Sequence, residues 1–335
     1  MVNSTAKRWL KKALLRSSAL DFATRLVPRK AAILMYHSIP EDLHRTDPIL
    51  GVCRDRASFE AHMATVARHF SPVTIQDVAD FAASGRPLPP RAVAVTFDDG
   101  FADNYEVAMP ILNRYGIPAT IYLFVDAVAN GKVPWYCRLR FAFNTTTRSE
   151  WTDPLRDRLY QLANPKERTA ALNSAWENGA RLTGQVQQEF VERVEQALAV
   201  EPVTGQHGFM LTWDQARALR KAGHIIGAHT LTHPNVAQVS RSEAESEIVG
   251  SKQRIEQEMG EPIEHFSYPH PALNPQWSQQ TLQITRAAGF KSAVLTTAGP
   301  VRAKDNPLAL RRISTPADLN QFVFNLQSTF LGRSA

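Results

Sequence analysis

The chain has 335 residues, 44% hydrophobic and 21% charged, which suits two domains or one large domain with an insertion and excludes a disordered or low-complexity protein. Two cysteines, Cys53 and Cys137, exclude a disulfide framework and a Cys-rich zinc site, and no apolar run is long enough for a transmembrane helix. The net charge of +6 is mild, and with no nucleic-acid-binding motif it gives no reason to expect a nucleic-acid partner.

Residues 1–30 account for the whole basic excess: Lys7, Arg8, Lys11, Lys12, Arg16, Arg25, Arg29 and Lys30, against Asp21 alone. Over residues 6–26, Trp9, Leu10, Ala13, Leu14, Leu20 and Phe22 share one broad face of an amphipathic helix. Arg16 interrupts the apolar run after Ala13-Leu14-Leu15, where a secretion signal needs continuity. The expectation is a cytoplasmic protein. Residues 6–26 then lie either on an anionic membrane surface or against the protein's own body.

Beyond this segment, short runs rich in β-branched and aromatic residues alternate with helical patterns. The expected strands are Ala32–Tyr36, Ala92–Phe97, Ala119–Val125, Ile225–His229, His265–Tyr268, Ser292–Leu295 and Ala309–Ile313. The expected helices are Ser58–His69, Ile75–Ala83, Ala108–Tyr115, Trp213–Ala222, Ser242–Met259 and Trp277–Ala288, with Thr212 and Ser240 or Ser242 as N-caps. Such alternation predicts an α/β fold with a mostly parallel sheet. It breaks over residues 132–207, where Asp153–Leu162, Lys166–Leu182 and Gln185–Val200 read as helical. That stretch is expected to be a helical insertion that covers the site mouth, binds a partner or merely decorates the fold. It divides one α/β domain into residues 31–131 and 208–316, and residues 317–335 follow as a C-terminal helix and tail.

Four strand ends carry ionisable groups. Thr96-Phe97-Asp98-Asp99-Gly100 runs an apolar strand into two carboxylates and a glycine. Successive strand residues point apart, so the two carboxylates take different jobs; alone, the same residues make an ordinary turn. His229-Thr230-Leu231-Thr232-His233-Pro234 holds two histidines four apart, suited to one metal if the segment makes a helical turn. It lacks the Glu of a His-Glu-x-x-His metalloprotease. Met35-Tyr36-His37-Ser38 and Phe266-Ser267-Tyr268-Pro269-His270-Pro271 end two further strands. An Asp and two His with an open position, beside a second carboxylate, is the pattern of a catalytic metal site.

Thr96–Gly100, His229–Pro234 and Phe266–Pro271 resemble the first three motifs of the polysaccharide deacetylases of the NodB-homology family, over roughly residues 31–130 and 208–316. The resemblance implies a distorted (β/α) barrel with a helical insertion, and metal-dependent hydrolysis of an N-acetyl amide on an amino sugar in a polysaccharide, oligosaccharide or lipid-linked glycan. By the same resemblance Asp98 is the general base, and Asp99, His229 and His233 are metal ligands for Zn²⁺, with Co²⁺ or Ni²⁺ as alternatives. The backbone N–H of His270 falls at the oxyanion. Ser267 stands where many members carry an Arg that orients the base, and Arg311 and Arg312 occupy the region where the acid histidine usually sits. Ile33-Leu34-Met35-Tyr36-His37 resembles the exopolysaccharide de-N-acetylase branch, which makes His37 the candidate acid. Two other readings stay open: a deformylase or other small-amide hydrolase on the same fold, and a non-catalytic sugar-binding protein.

Overall fold

Seven parallel strands pair in sequence order until the last returns to the first. They are β1 (Lys30–Tyr36), β2 (Ala92–Phe97), β3 (Ala119–Leu123), β4 (Ile225–Ala228), β5 (His265–Ser267), β6 (Ser292–Ala298) and β7 (Leu310–Ser314). The register runs through Met35↔Thr96, Thr96↔Thr120, Leu123↔Ala228, Ala228↔Phe266, Ser267↔Val294, Leu310↔Val294 and Met35↔Ser314. The result is a closed (β/α) barrel, as the resemblance implies, in a computed structural model that describes residues 29–41, 49–51, 53–203, 208–269 and 273–331. Residues 6–26 and His270 lie outside the described residues.

Around the barrel run α1 (Arg56–His69), α2 (Ile75–Ser84), α3 (Met109–Tyr115), α4 (Val125–Asn130), α5 (Trp135–Thr145), α6 (Pro165–Gly179), α7 (Gly184–Ala197), α8 (Trp213–Lys221), α9 (Arg241–Met259), α10 (Gln279–Ala287) and α11 (Leu319–Phe330). Capping boxes start several of them. Thr212 pairs with Gln215 ahead of α8, and Ser240 pairs with Glu243 ahead of α9. Each cap satisfies amides that the first turn leaves without intrahelical partners, worth about 1 kcal/mol.

Strand alternation sorts the core into two layers. Ala31, Ile33, Ala92, Ala94, Tyr122, Val294 and Leu310 cluster with Val78 and Phe81 of α2, so the barrel interior is filled and its lower end is plugged by that helix. The opposite faces, through Ala32, Leu34, Val93, Val95, Phe97 and Ile121, join the larger core beneath the other helices. Gly227 is required here, because a Cβ would sit 2.5 Å from the Tyr122 ring. By the same alternation Thr96, Asp98 and Arg312 are the upper interior positions of β2 and β7.

Residues 132–207 are not wholly helical as the sequence suggests. Glu150–Asp153 and Arg158–Gln161 form an antiparallel hairpin between α5 and α6. Two local features correct the helical reading of Asp153–Leu162. The Asp153 carboxylate accepts the amides of Leu155 and Arg156, and Asp157 takes a left-handed conformation at φ 49°, so the chain turns back. Trp151 and Tyr160 then stack at 5.8 Å on the buried face.

Candidate active site

The carboxyl ends of the strands form one rim, as in other parallel barrels. Asp98 and Asp99 follow β2. Asp99 has φ 74° and Gly100 φ 81°, so the chain reverses sharply beyond the strand. A Cβ on Gly100 would also approach Leu123 to 2.9 Å, which restricts the position to glycine. Phe124 N–H donates to the Asp99 carbonyl, and the next two amides donate to Thr230 and Leu231. The start of α4 therefore ties the loop after β2 to the loop after β4.

The two histidines do not come together on a helical turn. Residues 229–233 form an irregular loop in which Thr230 (φ 69°) and His233 (φ 59°) are left-handed. Glu247 of α9 replaces the helical hydrogen bonds. Its Oε2 accepts from Leu231 N and Thr232 N, both at 2.8 Å, and its Oε1 accepts from the Thr232 hydroxyl. Thr230 Oγ1 accepts the His233 amide at 3.0 Å. Held this way, His229 Nε2 lies 3.5 Å and His233 Nε2 3.3 Å from Asp99 Oδ1. Ligands about 2.0–2.1 Å from a tetrahedral ion stand roughly 3.3–3.4 Å apart, so these spacings fit one ion.

Electrostatics agree with that fit. One ligand atom from each of Asp99, His229 and His233 lies within 4.8 Å of the others, and all three residues are buried. Asp99 Oδ1 has no hydrogen-bond partner among the described residues. A buried carboxylate oxygen left bare is costly unless a cation faces it. Burial works to raise the Asp99 carboxyl, but His233, His37 and His229 outweigh it and hold the group ionised. Burial pushes His229 down to about 4, so its ring is neutral. Its Nδ1 donates to the Ser267 carbonyl at 2.7 Å, which leaves the Nε2 lone pair facing Asp99.

Asp98 is bound differently. Arg312 Nη1 and Nη2 grip its two oxygens at 2.7 and 2.6 Å. The guanidinium is fully buried, yet all five of its N–H groups are used. Nε donates to the Leu295 carbonyl at 2.9 Å, Nη1 also reaches Thr96 Oγ1 at 3.3 Å, and Nη2 reaches Ser267 Oγ at 3.2 Å. Burial works to raise the Asp98 carboxyl, but the Arg312 charge beside it brings it below the usual range. An arginine absent at Ser267 is thus delivered from β7. The sequence signal was an Arg at an inward position of Leu310-Arg311-Arg312-Ile313, two residues beyond inward-facing Leu310.

His37, at the end of β1, brings Nε2 to 4.0 Å from Asp98 Oδ2. Asn104 Nδ2 donates to the His37 carbonyl at 2.8 Å, and Ser38 Oγ donates to Asp103 at 2.5 Å, so the segment after β1 is pinned. His37, Asp98, Asp99, His229 and His233 line one cavity of about 160 Å³. Tyr136, Arg140 and Trp176 close it from the insertion. Sequence reasoning did not single out those three. The insertion is fastened to the loop that carries His229 and His233, since Trp135 Nε1 donates to the His233 carbonyl at 3.3 Å and Asn235 N donates to the Ala180 carbonyl at 2.9 Å. Burial first, and then the Asp99 charge, keep the Tyr136 hydroxyl protonated.

A profile for polysaccharide deacetylases matches residues 85–151 and 163–293, more than half of the chain. The chain belongs to the polysaccharide deacetylase family. Membership makes it a hydrolase of the polysaccharide deacetylase type. The YxkH protein of Bacillus subtilis is 20% identical over 298 residues, 89% of this deacetylase and 75% of that protein. The poly-beta-1,6-N-acetyl-D-glucosamine N-deacetylase of Escherichia coli K12 is 30% identical over 127 residues, 37% of this chain but only 18% of that protein. In fold, the deacetylase resembles Streptococcus pyogenes PplD, solved in complex with acetate, at TM-score 0.61 and 19% identity, over 90% of this chain and 99% of that one. It also resembles IcaB from Ammonifex degensii at TM-score 0.55 and 19% identity, over 89% and 97% of the two chains.

Proposed function

We propose that this polysaccharide deacetylase removes N-acetyl groups from an amino-sugar glycan in a metal-dependent hydrolysis, with Asp98 as general base and His37 as general acid. The convergence of Asp99, His229 and His233 beside Asp98 carries the reading. Those three residues would hold a divalent cation, Zn²⁺ by its liking for nitrogen and carboxylate donors; when bound, it supplies Lewis-acid polarisation of the amide carbonyl and the attacking water. Asp98 takes the proton of that water. Its pair with Arg312 keeps the carboxylate ionised and fixes its direction. The nearness of His37 Nε2 to Asp98 supports it as donor to the departing amine. The Tyr136 hydroxyl, kept protonated by burial and by the Asp99 carboxylate beside it, supports a role as donor to the acetyl oxygen as charge develops there.

Amine release from N-acetylated oligosaccharides, with N-formylated counterparts alongside, tests the reading together with elemental analysis for metal. The expected result is stoichiometric free amine and acetate, with both metal and release lost in Asp99→Ala. Bound metal with no amine from any amino sugar would favour a sugar-binding protein.

The basic amphipathic pattern of residues 6–26 supports a peripheral position at a cytoplasmic membrane face, near lipid-linked substrate. No described helix is long and apolar enough to cross a membrane. Co-sedimentation with anionic liposomes should fall when residues 1–30 are removed; equal sedimentation would refute the idea.

A further inference from the structure

We propose that Arg140 makes this pocket selective for acidic glycans, so that the substrate is an N-acetylated amino sugar with a carboxylate or phosphate group close to the acetamido group. The inference rests on the deacetylase reading of the site.

Arg140 lies one turn beyond Tyr136 on α5, so the two side chains share a helix face, and both line the cavity with Asp99 and His233. Its charge has no carboxylate partner among the described residues, and its buried Nε has no hydrogen-bond partner there. Arg138, two residues earlier, makes the contrast: its Nε donates to Glu195 at 2.9 Å in a bidentate pair. The guanidinium stands in a wall that includes Ile49, Leu50 and Phe101. The other charged groups of the lining are committed. Asp98 is neutralised by Arg312, and Asp99 faces His229 and His233.

The seat of the guanidinium points the same way. Arg140 Nη1 lies 3.3 Å from the position a Cβ would take on Gly51, so the group rests against bare backbone with no side chain between. A planar fork of donors in apolar surroundings matches a carboxylate or phosphate in two-point contact. Low local dielectric strengthens that contact relative to water.

The test uses the full chain loaded with zinc and three substrates built on one N-acetylhexosamine: a neutral oligosaccharide, the same with a neighbouring hexuronate, and the sugar 1-phosphate. At least one acidic substrate should exceed the neutral one by about tenfold in kcat/KM, with added salt eroding the advantage. Arg140→Gln should bring that ratio close to one, and Arg140→Lys should keep part of it. The better of the two acidic arms identifies the anion. A wild-type ratio near one, or a ratio that Arg140→Gln leaves in place, overturns the inference. Should Arg140→Gln fold poorly, Gly51→Val displaces the guanidinium while keeping its charge, and the same fall in ratio is expected. Calorimetric binding of the three sugars reads Arg140 without turnover. Arg140-dependent binding of an acidic sugar by a chain that releases no amine would refute the deacetylase reading and keep only the preference of the pocket for acidic sugars.

Discussion

The barrel rim and the insertion meet in one cavity but are built on opposite plans. On the rim, the groups that orient the site are themselves tied down. Arg312 spends every donor around Asp98, Ser267 orients His229, and Glu247 holds the loop that carries His233. On the insertion wall the unpartnered atoms are on groups that can donate, the Tyr136 hydroxyl and Arg140 Nε, whereas on the rim they are Asp99 Oδ1 and one ring nitrogen each of His37 and His233, among the described residues. The difference teaches a division of labour. Catalytic groups need fixed positions, because small displacements cost large factors in rate. Groups that donate to a substrate or to charge developing on it keep donors free, because a donor already satisfied has nothing left to offer.

The largest test of that contrast removes a rim group proposed to act in the reaction. Asp98→Asn and His37→Ala should each lower turnover by about two to four orders of magnitude while metal content is kept. Full activity in His37→Ala would move the acid elsewhere. Arg312→Met should cost about 3–5 kcal/mol of stability in chemical denaturation, because the buried Asp98 carboxylate is left unpaired. Combining it with Asp98→Asn should recover much of that loss; additive losses would mean that the guanidinium holds the barrel by packing rather than by charge.

A smaller effect is expected one step further from the chemistry. Glu247→Ala frees three donors of the residue 230–233 loop, and metal retained after dialysis should fall by about 10- to 100-fold in affinity. Unchanged affinity would show that the left-handed residues alone hold the loop.

A pH-dependent effect lies away from the rim. Burial pushes His62 and His265 down to about 4. Unfolded histidine titrates near 6.5, so between those values the unfolded chain binds protons that the folded chain refuses. Stability is therefore complete above about pH 6.5 and is lost as the pH falls toward 4, by up to ~1.4 kcal/mol per pH unit for each histidine. Melting temperatures across this range should show the slope, and His62→Gln should flatten it.

The chain order of strands and helices was legible because alternation and capping are local. Thr212 and Ser240 cap α8 and α9 where their side chains lead the sequence to expect it. The hairpin over 150–161 was not legible, since an Asx turn and one left-handed Asp157 outweigh a composition that suits helix. At the site, Asp98, Asp99, His229, His233 and His37 were visible as polar groups at strand ends. Arg312 was visible only as an oddity in a strand, and Tyr136, Arg140 and Trp176 only as residues of an insertion.

The amino-acid order by itself determined which side chains end each strand, because the period of a strand sets which residues face inward and where the apolar run stops. Only the closed barrel decided that Arg312, 214 positions from Asp98, neutralises it, and that α5 reaches the loop after β4. The physical reason is that partners for buried charge are chosen by proximity in the folded core, and that proximity exists only once the seventh strand has met the first.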